Sequence, residues 1–242
     1  MTTLLLRLAG PQQSWGVASR FGDRDSMPEP TKSGVIGLVA AALGRGREDA
    51  VDDLAALRFG VRVDRPGRLE VDFHTVLDVA HAPGRDGGPA RVSSDPIVSR
   101  RAYLADAVFT AGFEGDAGML AQILAALRTP RFPLFLGRRA FPPAEPIALP
   151  DRAPLGPPLR EAGLESALRA APFVVRGRDR RPTDPLRLAL ECPMHEAELI
   201  IADQPAPGAA FAVREFLPRG IRHVMIVPAD LVLVESGGAN DG

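Results

Sequence analysis

The chain has 242 residues, 45% of them hydrophobic and 24% charged, with a formal net charge of −1. That is the composition of a globular protein of one large domain or two small ones, and it excludes a uniformly basic nucleic-acid binder while leaving room for a local basic patch. No apolar run reaches the ~18 residues of a membrane span, MTTLLLRLAGP lacks the charge and cleavage site of a secretory signal, and the lone Cys192 excludes an internal disulfide, so no membrane contact and a cytoplasmic location are expected.

Thr3–Leu8 reads as a buried strand that Gly10-Pro11 breaks, followed by a polar loop to about Pro30. Ser33 is a candidate N-cap for a helix over Gly34–Leu43, which is apolar all round and therefore buried. A second helix is expected near Glu48–Leu57. Phe59–Val63 and Leu69–Val79 both alternate and read as a hairpin across Arg65-Pro66-Gly67. His81–Arg101 is rich in Gly, Pro, Ser and Arg and has no core-forming pattern; a stretch of that length inside a domain is often functional. Tyr103–Phe113 returns to strand character. Asp116 caps a helix over Met119–Leu127, and Phe132–Leu136 is a short strand ending in Gly137-Arg138-Arg139. With the insertion set aside, the order β-α-β-β-α-β is that of a ferredoxin-like, RRM-like α+β domain. Beyond it, Pro142–Pro158 reads as a wrapping linker and Arg160–Ala171 as a helix. Phe173–Arg178, Arg187–Leu190, Phe211–Phe216 and His223–Val227 read as short strands, and the final ESGGANDG as disordered.

Three segments carry the candidate chemistry: Leu4–Gly16 (LLLRLAGPQQSWG), Pro30–Gly44 (PTKSGVIGLVAAALG) and Leu134–Pro143 (LFLGRRAFPP). If their ends meet, they build one surface of backbone N–H groups, amides, an indole and guanidiniums. Lys32, Ser33 and Gly34 offer a phosphate seat at a helix N-terminus, or simply a capped core helix. Gln12, Gln13 and Ser14 can read base edges and Trp15 can stack on a splayed base, or the indole can plug the core. Arg20 and Arg24 add charge in the same loop. Arg138 and Arg139 follow a glycine that permits close approach and can clamp a phosphate, or form a solvated turn. Arg91, Arg100, Arg101 and Tyr103 lie in or beside the insertion, and Arg176, Arg178, Arg180 and Arg181 form a further basic run. All basic residues but Lys32 are arginine; genomic base bias explains the swap, and it leaves these sites able to contact phosphate bidentately. Among candidates for catalysis, His74, Lys32 and Tyr103 show no telling spacing. Cys192-Pro-Met-His195 offers two ligands where zinc wants three or four, so neither a metal nor a cofactor is expected.

LRLAGPQQSWG, PTKSGVIGLVAAALG, DFHTVL (Asp72–Leu77), RRAYLADAVFTAGF (Arg100–Phe113) and FLGRRAFPP (Phe135–Pro143), in order, resemble the CasD family, the fifth-numbered Cas subunit of type I-E CRISPR Cascade complexes in the RAMP superfamily. The resemblance implies an RRM-like RAMP core over residues 1–145, with a long β-hairpin thumb inserted at about 81–101. The matching blocks end at about residue 145; from its own texture the rest, 146–242, reads as an extended C-terminal region with a disordered tail at 235–242. The resemblance implies a non-catalytic protein that grips the 5′ handle of the crRNA, and the residues read above as candidates for that contact are Gln12, Gln13, Ser14, Trp15, Arg20, Lys32, Ser33, Gly34, Arg100, Arg101, Tyr103, Arg138 and Arg139. The implied partners are the adjacent Cascade backbone subunit and the large PAM-recognising subunit. Some relatives in other CRISPR subtypes are metal-independent endoribonucleases, which leaves processing of a guide precursor as the alternative activity.

Overall fold

A computed structural model of the chain describes residues 1–17, 22–77, 79–80, 92–93, 96–175, 182–213 and 215–235. In chain order it runs β1 (Thr2–Ala9), β2 (Gln12–Gln13), β3 (Asp23–Arg24), α1 (Lys32–Leu43), α2 (Asp52–Ala55), β4 (Arg58–Arg65), β5 (Arg68–Val76), β6 (Val79–Ala80), β7 (Val92–Ser93), β8 (Ile97–Ala105), β9 (Val108–Gly115) and α3 (Ala117–Arg128). The remainder is β10 (Leu159–Arg160), α4 (Leu164–Ala170), β11 (Phe173–Val175), β12 (Leu186–Cys192), β13 (Leu199–Pro205), β14 (Phe216–Ile226) and β15 (Leu233–Glu235).

A seven-stranded antiparallel sheet, in the order β10-β1-β9-β4-β12-β14-β13, organises the molecule. β1 is buried along nearly all its length because it has neighbours at both edges and helices over both faces, so its sequence, Leu4–Leu6, Leu8 and Ala9 around the ion-paired Arg7, does not alternate. α1 and α3 cover one face in a core with Leu4, Leu6, Leu8, Trp15, Phe59, Phe109 and Phe113. α4 covers the other, with Leu5, Leu164, Leu168, Leu188, Leu190 and Ile226. The 142–158 segment runs along β1: Arg7 N–H bonds Ile147 O and Leu5 N–H bonds Pro158 O, both at 2.9 Å.

The expected hairpin between Phe59–Val63 and Leu69–Val79 does not form. β4 already has β9 and β12 at its two edges, so β5 leaves the sheet at Gly67 (φ 71°) and pairs with β8 instead. The predicted strand Tyr103–Phe113 is split for the same reason, by a turn at Asp106 (φ 57°) whose N–H bonds Pro11 O at 3.0 Å. The β4/β9 ladder and the β5/β8 ladder are therefore one long antiparallel pair, bent where it leaves the main sheet to become a projecting ribbon. β6 and β7 pair further along it. His81, Arg91 and most of the 81–101 insertion lie outside the described residues.

Several local expectations are corrected. The N-cap of α1 is Thr31, whose hydroxyl accepts Gly34 N–H at 3.3 Å, while Ser33 sits inside the first turn; Gly44 (φ 80°) ends the helix in the left-handed region. Glu48–Leu57 yields only the single turn α2. Asp116 caps α3 as expected, its carboxylate accepting Met119 N–H at 2.8 Å. Phe132–Leu136 is not a strand: Pro133 has no N–H for a ladder, and Leu136 instead bonds Phe141 O through its N–H at 2.8 Å and Ser14 N–H through its carbonyl at 3.1 Å. In the C-terminal part, Phe211–Val213 is a 3₁₀ turn, β14 absorbs the expected His223–Val227 strand, and β13 is an edge strand that no local pattern announced.

Buried charged side chains of the sheet hold the helices. Glu114 accepts Leu164 N–H at the start of α4 at 2.5 Å. Arg62, fully buried, donates to Leu168 O (2.9 Å), Ala171 O and Pro172 O (3.0 Å) at its end. Leu164 N–H and Leu168 O are groups that the helix leaves without an internal partner, and Ala171 and Pro172 follow directly on its end. Arg62 is balanced by Asp64 at 2.6 Å, which also accepts from Thr110 (2.7 Å) and Arg7 (3.4 Å).

Candidate nucleic-acid interface

The three motif-bearing segments converge. Ser14 N–H bonds Leu136 O, tying the loop after β1 to the Gly137 turn. Gly137 has φ 86°, and a Cβ there would lie 1.6 Å from Ser14 O, so only glycine fits. A Cβ on Gly34 would lie 2.9 Å from the Trp15 ring, which brings the start of α1 into the same unit.

Convergence does not make every predicted residue available to a ligand. Trp15 is 1% exposed, packed in the α1 side of the core, and its indole N–H donates to Gln13 Oε1 at 3.2 Å. Gln13 is itself buried and gives its amide N–H groups to Leu8 O (3.1 Å) and Ala107 O (2.8 Å), so it has no edge left for a base. Base stacking by Trp15 and base reading by Gln13 are thus replaced by a scaffold that holds the loop.

The anticipated phosphate seat at Lys32, Ser33 and Gly34 is also reassigned, because the protein fills it. Asp203 of β13 accepts Lys32 N–H at 2.7 Å, the position where an external anion would sit. Arg219 holds that carboxylate through two bonds of 2.7 Å. The Lys32 ammonium, buried, pairs with Glu191 at 2.9 Å; burial pushes its pKa below the ordinary lysine value although Glu191 pulls it up. Asp203 and Glu191 lie far along the chain, and no local signal near Lys32 points to them.

The outer side of the unit differs. β8 has β5 along one edge, while its other edge carries only two short pieces, β2 opposite Leu104–Ala105 and β3 opposite Arg100–Arg101. In the gap, the Ala102 carbonyl accepts Ser14 Oγ–H at 3.2 Å and an Arg138 Nη2–H at 2.8 Å. The Arg138 guanidinium lies 5.6 Å from the centre of the Phe141 ring, which packs on Tyr103 with ring centres 5.9 Å apart. Gln12, half-buried, pairs with Ala105. Arg24 and Arg101 are register partners on β3 and β8. Arg101 Nε donates to Ser99 Oγ at 3.1 Å. Arg100 and Arg139 are exposed. Among the described residues, Arg24, Arg100, Arg101, Arg138 and Arg139 form no ion pair, in contrast to Arg7, Arg45, Arg58, Arg62, Arg128, Arg169, Arg187, Arg219 and Arg222. Burial, then the charges of Arg101 and Arg24, push the Arg138 guanidinium pKa down. This is the signature of a cluster whose own carboxylates do not neutralise it.

Arg20, Arg176, Arg178, Arg180 and Arg181 lie outside the described residues. His74 stands on β5, half-exposed, with Nε2 against Asp72 Oδ2. Among the described residues no His, Cys, Asp and Glu side chains gather as a metal site, and no helix is long and apolar enough to cross a membrane.

Fold and site together define an α+β protein with a large antiparallel sheet and a projecting ribbon that carries unpaired arginines at its base. The chain belongs to the Cas5 family: the family model described as CRISPR-associated protein (Cas_Cas5) matches residues 3–227. The CRISPR system Cascade subunit CasD of Escherichia coli (strain K12) is 35% identical over 161 residues, covering 60% of this chain and 69% of the relative. A solved structure described as a Cas protein superposes with a TM-score of 0.74 at 42% identity, covering 95% of this chain and 97% of the other. A chain of a CRISPR RNA-guided surveillance complex superposes with a TM-score of 0.74 at 36% identity, covering 99% of this chain and 95% of the other.

Proposed function

We propose that this protein is a non-catalytic subunit of a Cascade-type surveillance complex in the cytoplasm, where it binds and caps the 5′ handle of the crRNA. One observation carries the reading. On a chain of net charge −1, arginines that form no ion pair among the described residues collect where the three motif-bearing segments meet. Phosphate contacts from Arg100, Arg101, Arg138 and Arg139 set the register of the strand, and Gln12 and Tyr103 lie beside them for base contacts, while Ser14, buried with its hydroxyl on Ala102 O, holds the loop. The strand order β10-β1-β9-β4, all antiparallel, supports a ferredoxin-like RAMP core with the β5/β8 ribbon as the base of its thumb. The ribbon and the C-terminal strands are the surfaces offered to the adjacent backbone subunit and to the large PAM-recognising subunit. The relative in a surveillance complex supports both assignments. The test is retention of handle RNA by the purified full chain. Arg138→Ala combined with Arg139→Ala weakens retention about tenfold or more while the melting temperature stays within a few degrees. Unchanged affinity at moderate salt removes these residues from the site.

The Asp72–His74 pair beside Arg101 and Tyr103 favours one second reading, a metal-independent cut of a guide precursor with His74 as general base. Incubating precursor repeat RNA with the protein and a chelator decides between them. A product that disappears in His74→Ala establishes the nuclease, and intact RNA removes it, leaving the retention assay to test the binder. Lys32 has no part in either reading, since Glu191 holds it in the interior.

A further inference from the structure

We propose that Arg24, Arg101 and Arg138 share one phosphodiester, held over the gap in the β8 edge, and that this seat replaces the one Asp203 closes at α1. The inference rests on the RNA-binding reading above and deepens it by assigning a ligand group to a defined set of side chains, Arg24 among them. Arg24 and Arg101 are directly opposed on neighbouring parallel strands, which places their side chains on one face about 4.8 Å apart at the backbone. Tyr103, two residues from Arg101, lies on that same face and packs on Phe141. Phe141 in turn supports the Arg138 guanidinium, so all three cations stand on one side of the ribbon.

Arg138 is preorganised: one N–H bonds Ala102 O and the guanidinium lies 5.6 Å from the centre of the Phe141 ring, while its other donors have no hydrogen-bond partner among the described residues. The carboxylates closest in effect are Asp25 and Asp72, and both have other partners. Asp25 accepts Val17 N–H at 3.0 Å and Asp72 pairs with His74. Three guanidiniums repel one another until an anion with several acceptor oxygens arrives, and a phosphodiester presents two that can each take a fork of N–H donors. Arg100 projects from the opposite face of β8, because neighbours in a strand alternate, and Arg139 sits on the exposed turn; neither belongs to this seat.

Salt dependence of RNA binding tests a shared phosphate against separate ones, since each phosphate neutralised on a single strand contributes about 0.7 to the slope of log affinity against log salt. The probe is a handle-sequence RNA oligonucleotide titrated into the full chain and into Arg24→Gln, Arg101→Gln, Arg138→Gln and the triple variant. Each single change is expected to weaken binding about tenfold. The triple variant is expected to lose about 0.7 of slope in all and far less than the product of the single losses. Losses that multiply, with the slope falling by about 2, overturn the shared seat and leave RNA binding intact. An unaltered chain that binds no RNA overturns the parent reading instead. Arg138→Lys keeps the charge but not the fork, and separates a collapsed ribbon from a lost contact by retaining the slope at reduced affinity.

Discussion

The arginines of this chain fall into two populations with opposite use of the same side chain. Arg7, Arg62 and Arg219 lie inside, and every one is committed: Arg62 closes the end of α4 and pairs with Asp64, Arg219 grips Asp203, and Arg7 bridges Asp64 and Glu145. Arg24, Arg101 and Arg138 lie at the ribbon's base and, among the described residues, form no ion pair, although Asp72 stands opposite Arg101 on β5. Taking a guanidinium out of water is tolerable in the first group because fixed partners replace the solvent. The second group has no such fixed partner, and the partly buried Arg138 guanidinium is held beside two other cations instead. Net charge therefore says little about where this molecule meets an anion; the pairing state of each arginine says a great deal.

The largest effect should come from breaking the committed group. Arg62→Leu takes the shortest of three donors from Asp64 and leaves the carbonyls at the end of α4 without theirs, and is expected to cost about 3–5 kcal/mol in urea unfolding, whereas Arg101→Leu stays within about 0.5 kcal/mol. Equal costs would erase the distinction between the two populations. Next in size is Gly137→Ala, which forces a left-handed backbone on alanine and drives its Cβ into Ser14 O. It should lose about 1–3 kcal/mol of stability and, by moving Arg138, more RNA affinity than Arg139→Ala does. A variant that melts normally and binds normally would show that Arg138 is not positioned by the turn.

Thr31→Ala sharpens the contrast from the other side. It removes the α1 cap at a cost of about 1 kcal/mol yet leaves RNA affinity unchanged, because that helix end faces Asp203 rather than a ligand. Reduced affinity at full stability would return the phosphate to α1. The smallest effect is in pH. The folded-state pKa of Lys32 lies below its unfolded value, with burial as the main cause, so between the two the unfolded chain binds more protons and stability rises as pH rises. Lys32→Met should flatten that alkaline slope; a slope that survives the substitution belongs to another group.

Much of the fold is legible where a helix or strand announces itself locally. Asp116 before Met119–Leu127 and the apolar run of β1 needed only nearest neighbours along the chain. The ribbon was harder to read, because β4 and β5 alternate alike and only the crowded edges of β4 decide that β5 must pair elsewhere. The meeting of the three motif segments was readable from their glycines and polar ends. Which of their residues face outward was not. That depended on Asp203 arriving from β13 to take up Lys32 N–H, and on Gln13 spending its amide on Leu8 and Ala107.

The carboxylate of Asp203 has a consequence for fragments of this protein. It acts as a built-in counter-ligand, delivered by a strand that follows the first domain-sized stretch of chain by some distance. A shortened chain ending before β13 would lose that plug and expose an empty socket of backbone donors beside a lysine. Such a fragment should be rescued by sulfate and capture oligonucleotides at a spot the intact molecule keeps shut, so a nucleic-acid footprint mapped on it would point to the wrong end of α1.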